Sequence, residues 1–365
     1  RHGRILADHT MNLAAQSVDN RSGLLQSKGD TAVDVAHTLQ NQHGRVFSDA
    51  KLQLNAKDIE NAAGELVSKG DLDVSVGVLA QQGGKLLTQS ALRVTANTLD
   101  NSHGGQITSQ GPMAISSTVL VNSEAGVISS VAGIRLDASQ VNNGSAGSIA
   151  SGEDLDLTAN AVDNRDEGML ESGANMRLVA GNIDSSNLGQ IVSAGAIEAE
   201  IGQALKLSEG GQLIAGGAVT IKSRSLATHQ RGVVTGKGAV RVETGAVDNS
   251  QSGEISSKQE LTLKAGTVDN SDGGRLIGES GIDAAFAALD NRRDGMVASY
   301  SALSLNGAID NSDGGLIAAR SELNVEATTL TNSGGELAGD AGIQVQADDL
   351  DNSKSGKNLA GGTVT

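Results

Sequence analysis

The chain has 365 residues, among them 48 Gly, one Pro, one Tyr, two Phe, no Trp and no Cys. Its 43 acidic residues outweigh 27 basic ones for a formal net charge of −16, which argues against general binding to nucleic acid or an anionic membrane. So few aromatics do not suit a single globular core of this size, the lack of Cys excludes disulfides, and no apolar run approaches the ~20 residues of a membrane helix.

Along the chain one sequence context returns every 20 to 22 residues, anchored on Asn20, Asn41, Asn61, Asn101, Asn122, Asn142, Asn164, Asn249, Asn270, Asn291, Asn311, Asn332 and Asn352. Gln81, Ser185, Leu207 and Thr228 fill the gaps and complete 17 anchors. An aliphatic residue lies two before each Asn except Asn142, and a Gly lies three to five after. A repeat this short predicts a solenoid, in which one supersecondary unit is copied and stacked. The whole of residues 1–365 then reads as one repeat array, cut mid-repeat at both ends from a longer protein.

Within each unit the pattern is that of strands. Leu66, Ser68, Leu72 and Val74 follow Gly64 at alternate positions, and Ile107, Ser109, Met113 and Ile115 follow Gly105 in the same way. The stretch Asn249 to Asn270 repeats it with Ile255, Ser257, Leu261, Leu263 and Ala265, and Leu276, Gly278, Ile282 and Ala284 follow Gly274. Period-two alternation with polar neighbours means two or three short strands with one face buried. No helical periodicity survives. A unit of this kind cannot bury its apolar face alone, so successive coils stack in parallel and the inward residues form aliphatic columns. The fold predicted is all-β: a single-stranded parallel β-helix of about 17 turns, roughly 80 Å long at ~4.8 Å per turn.

Length change concentrates between Asn and Gly, a gap of three to five residues, which marks a corner, and Gly there is expected to supply backbone angles that other residues avoid. An Asn before every such corner predicts a ladder of side-chain amides bonded along the axis; the plainer reading is that Asn is a good turn residue.

Between Ile183 and Arg241 the Asn is lost three times running, and Lys222, Arg224, Arg231, Lys237 and Arg241 cluster there. A basic patch on an acidic surface offers a site for an anionic glycan, against the plain alternative of drift in a tolerant repeat with solvated charges. The Asp of each Asp-Asn pair recurs in Asp248, Asp269, Asp290 and Asp310, a stack of carboxylates that a cation or simple screening would relieve. No nonapeptide calcium motif is present, and His43 and His103 lie three turns apart, too far for one metal ion. Catalysis by paired carboxylates needs two acids of different pKa, which a uniform ladder does not supply. Neither an enzyme nor a metal or cofactor site is therefore expected.

The repeats resemble those of filamentous haemagglutinin, in units such as Leu99-Asp-Asn-Ser-His-Gly-Gly-Gln-Ile-Thr-Ser109 and Ile309-Asp-Asn-Ser-Asp-Gly-Gly-Leu-Ile-Ala-Ala319. The likeness covers nearly the whole chain. It implies a right-handed β-helix and a secreted protein of the bacterial cell surface, exported by two-partner secretion with an outer-membrane transporter as partner. Adhesins and contact-dependent growth inhibition toxins share this architecture. The function implied is a structural rod that holds an adhesive or toxic tip away from the cell. The alternative is an adhesin whose own flank binds a glycan or cell-surface receptor. Neither a nucleic-acid partner nor a membrane span is expected.

Overall fold

A computed structural model of the chain describes residues 2–365, and among these every regular element is a β-strand. The chain forms two compact units, Arg1–Ala180 and Gly181–Thr365. Both are β-solenoids built from the same coil, about 17 in all.

In the first unit, four-residue strands recur from Arg4–Ala7 to Met169–Ser172, each followed by a longer strand such as Leu52–Glu60, Leu72–Ala80 or Leu92–Asp100. Four-residue strands pair only with one another, and the longer strands, the first of them split into Met11–Ala15 and Val18–Asp19, pair with one another, always in parallel. Leu66 lies opposite Leu86, Leu72 opposite Leu92, and Leu92 opposite Met113. The second unit repeats this from Gln190–Ser193 to Lys357–Ala360, with long strands such as Val219–Ala227, Glu260–Asp269 and Glu322–Thr331. Only its first long strand is broken, into Ile197–Ile201 and Ala204–Lys206.

The alternation read from sequence decides which side chains point inward. Leu66, Ser68, Leu72, Val74 and Leu79 are all 2% exposed or less, while Glu65, Val67 and Asp73 face outward. Hiding a Leu of this size from water is worth about 2 kcal/mol, and most coils hide four or five apolar side chains. None is hidden by its own coil alone, because the inward columns close only when neighbours stack. The long strand also turns a corner. Leu52 and Leu54 point inward, but the next fully buried position is Ile59, so the alternation slips by one step between them. Two hydrogen-bonded strands thus form three sides of the coil.

The Gly at the corner owes its place to crowding, which corrects the expectation from backbone angles. Gly44, Gly64 and Gly105 have no positive φ; the left-handed residues are those just before them, such as His43 (φ 55°), Ala63 (φ 52°) and Gly104 (φ 73°). A Cβ on Gly64 would sit 2.1 Å from the carbonyl oxygen of Asn41 in the preceding coil, and one on Gly44 would sit 2.1 Å from that of Asn20. Coils therefore touch here at backbone distance, and only Gly fits. Corner length follows from the count of left-handed residues. Three-residue corners carry one, as at Ser22 or Ala63, and four-residue corners carry two, as at Glu124 with Ala125 or Gln251 with Ser252.

Candidate functional site

Inside each corner the anchor side chains line up. Asn20 Nδ2 donates to Asn41 Oδ1 at 2.6 Å, Asn41 to Asn61 at 2.6 Å, and Asn61 to Gln81 Oε1 at 2.7 Å. The series resumes with Asn101 to Asn122 at 2.7 Å. In the second unit Thr228 Oγ1 donates to Asn249 Oδ1 at 2.7 Å, and the amides run on through Asn270, Asn291, Asn311 and Asn332 to Asn352 at 2.7 to 2.8 Å. Every donor points toward the C-terminal coil. Most of these amides also donate to a backbone carbonyl, as Asn270 Nδ2 does to Met296 at 3.0 Å. All of them are buried except Asn352.

Asn142 is not in this series, and the expectation is corrected. Its side chain is exposed and accepts the amide hydrogen of Gly144 at 3.2 Å, as an Asp does at the same place in other coils. Asn143 is fully buried instead, accepting from Asn122 and donating to Asn164, both at 2.8 Å. The signal was present: Val141 lies two before Asn143, restoring the aliphatic that Asn142 lacked. Gln81 is a second irregularity. Its longer amide turns to the carbonyl of Gln106 at 3.4 Å, and Asn101 Oδ1 is left buried without a hydrogen bond.

A second polar column, of Ser and Thr, lies at the second alternate position after the corner Gly in most coils. Ser48 Oγ donates to the carbonyl of Lys51 at 2.9 Å, Ser68 to that of Ala50 at 2.6 Å, and Ser109 to that of Gly111 at 2.7 Å. These hydroxyls satisfy the corner between short and long strands, as Asn does at the other corner. The requirement for a hydroxyl could have been read from the near-unbroken Ser from Ser27 to Ser172, interrupted by Thr88.

The Asp stack is in register, Asp248 opposite Asp269, Asp269 opposite Asp290, and Asp290 opposite Asp310. Each carboxylate turns back on its own corner. Asp269 accepts from the Ser271 amide at 3.0 Å and hydroxyl at 2.6 Å, and Asp290 accepts from Arg292 Nη2 at 2.6 Å. The Arg292 guanidinium holds the Asp290 carboxyl below the usual carboxylate range, and Arg165 does the same for Asp163. Among the described residues no three acids or His side chains converge as metal ligands. His103 lies against Glu124 on the corner of the next coil, Nε2 to Oε2 at 2.9 Å.

The five basic residues do not form one patch. Lys222, Arg224 and Arg241 are exposed on the long-strand sheet, with Arg241 opposite Thr220 and so two positions from Lys222. Lys222 lies between Glu200 in the coil before and Glu243 in the coil after. Arg224 donates to Gln203 Oε1 at 3.3 Å. Arg231 stands at the Asn-type corner and Lys237 at the opposite one, so three sides of the coil share the charge.

Sequence reasoning overlooked a groove of about 920 Å³ on the outer long-strand face of the first unit, lined by Lys51, Asp73, Arg93, Arg135, Asp154 and Asp156 among others. Its charges are partly spent on each other: Asp73 lies 2.6 Å from Lys51 Nζ and 4.0 Å from Arg93 Nε. The signal lay in the outward residue just after the first long-strand aliphatic, which is Asp73, Arg93, Arg135 and Asp156 in four of these coils.

A family model described as haemagglutinin repeat matches residues 1–43, 32–81, 67–139, 131–200, 203–251, 233–313 and 287–365. Comparisons with curated proteins and with solved structures give no match.

Proposed function

The chain belongs to the haemagglutinin-repeat family, and we propose that it is a structural segment of a secreted filamentous haemagglutinin-like protein. In this reading residues 1–365 form one continuous rod that spaces an adhesive or toxic tip from the bacterial surface. A dedicated outer-membrane transporter would export it, the mode of secretion the family resemblance implies. One observation carries the proposal. The side chains repeated most faithfully, the anchor amides and the corner hydroxyls, are turned inward and bonded to neighbouring coils, as Asn270 is to Asn291 and Ser48 to the carbonyl of Gly29. Recurrence has been spent on holding coils together, and the outer faces vary from coil to coil. The continuous rod is supported by the period, which runs through Asn164, Ser185 and Leu207 without a change of spacing beyond one residue.

A spacer depends on how many whole coils it has and not on which ones. Removing one period, residues 249–269, from the parent protein should leave export and tip function intact. Removing half of it should block folding beyond the cut. Loss of receptor binding by the in-register deletion, with export unchanged, would instead favour an adhesive flank.

A further inference from the structure

In the second unit the outer face of the short-strand sheet carries an ordered series of charges. The first outward position of successive coils reads Glu254, Arg275, Met296, Leu316, Glu336, Lys357, each directly opposite the next in the parallel ladder. The second outward position is apolar across the middle, with Ile277, Ala298, Ala318 and Ala338, all half-buried. The face is thus a flat apolar centre with an acid–base pair at either end. Arg275 Nε lies 3.7 Å from Glu254, and Lys357 Nζ lies 3.6 Å from Glu336. Both contacts are longer than a hydrogen bond, and all four side chains remain at least 35% exposed.

The signs along this column run minus, plus, none, none, minus, plus. Read from the other end they run plus, minus, none, none, plus, minus, which is their complement at every charged position. We propose that this face docks a second copy of the same chain, antiparallel. The twofold axis lies in the interface along the strands and passes between the coils of Met296 and Leu316. Arg275 then faces the partner's Glu336, Glu254 faces the partner's Lys357, and Met296 packs on the partner's Leu316. Each end becomes a square of four alternating charges, and Ala298 lies over the partner's Ala318. A twofold along the stacking direction would instead set Arg275 over the partner's Ile277 and Glu336 over the partner's Ala338, burying charge against apolar groups with no counter-ion. Six coils at ~4.8 Å, each presenting four strand residues, give a footprint of roughly 400 Å² per copy. That is about half of what a stable interface needs, so the pairing is weak and depends on concentration.

The chain has no Cys, so single thiols report the geometry directly. Full-length Ala298→Cys and Ala318→Cys proteins, mixed at high concentration with a short thiol-to-thiol cross-linker, should give mainly the mixed dimer. Dominant Ala298→Cys or Ala318→Cys homodimers would overturn the antiparallel arrangement, and no cross-linking with a purely monomeric sedimentation profile would overturn the pairing itself. Arg275→Glu should weaken association roughly tenfold or more by setting like charges together twice. Adding Glu336→Arg to the same chain should restore it. Association that ignores Arg275→Glu would refute the charge match.

Discussion

Asn270→Ala is the sharpest perturbation of the inner ladder. The substitution removes three hydrogen bonds: from Asn249 Nδ2 to Asn270 Oδ1 at 2.7 Å, to Asn291 Oδ1 at 2.7 Å, and to the Met296 carbonyl at 3.0 Å. Asn249 keeps its bond to the carbonyl of Arg275 at 3.0 Å, so its amide is only half orphaned. Asn291 Oδ1 loses the side-chain donor it has and is fully buried. At about 1 kcal/mol per net hydrogen bond, with a further 1–3 kcal/mol for a buried acceptor left bare, the cost should be about 4 to 6 kcal/mol. Thr267→Ala, on an exposed strand position three residues away, should stay within about 0.5 kcal/mol. Ser271 is no control, because it is buried and donates to Asp269 at 2.6 Å. Urea unfolding of both variants, with hydrogen exchange at residues 249–296 to localise the effect, reads the difference. Asn270→Leu should cost less than Asn270→Ala, since Leu207 occupies the same station fully buried. Equal and negligible shifts for Asn270→Ala and Thr267→Ala would mean that the amides contribute nothing.

Gly64→Ala should destabilise by about 1–3 kcal/mol, because its Cβ meets the Asn41 carbonyl at 2.1 Å; a melt within error of the unaltered protein would refute the crowding argument. Asp163 and Asp290 have carboxyls held below the usual range by Arg165 and Arg292. Their contribution is complete above the unfolded value near ~4 and is lost as pH falls through the folded value below it. The thermal midpoint should therefore be flat from neutral pH down to about 5 and fall below about 4, less steeply in Asp290→Asn; a midpoint that rises in acid would contradict this. Heparin should not retain the chain at 0.1 M salt, where exposed charges are screened beyond ~10 Å, because Lys222 stands between Glu200 and Glu243. Retention abolished by changing Lys222, Arg224 and Arg241 to Ser would restore the case for an adhesive flank.

What could be read from the sequence was whatever repeats within one coil. Leu66, Leu72 and Val74 announce their inward faces by alternation alone, and strand class and period follow. What escaped depends on the neighbouring coil. Gly64 is fixed by a carbonyl 23 residues earlier, at Asn41, so local backbone rules gave the wrong reason for it. The bonding of Ser68 escaped because one of its acceptors, the Ala50 carbonyl, belongs to the coil before. Asn142 and Asn143 are chemically alike, and only Val141 two positions earlier tells which one turns inward. The five basic residues look clustered in sequence, but a coil of about 21 residues carries them around its perimeter. Opposition between Lys222 and Glu243 appears only once the register is known.

Each coil is held only by its neighbours, so that coils act as interchangeable units of length. Leu263→Asp tests it most directly, since Leu263 is 1% exposed and sits in register between Val242 and Ala284. An unpaired buried carboxylate there should cost several kcal/mol. Hydrogen exchange along the chain should show lost protection in the coil of Leu263 and the one or two coils on either side, with native protection elsewhere. Uniform loss of protection across all 365 residues would show that the stack melts as one body and would contradict the account.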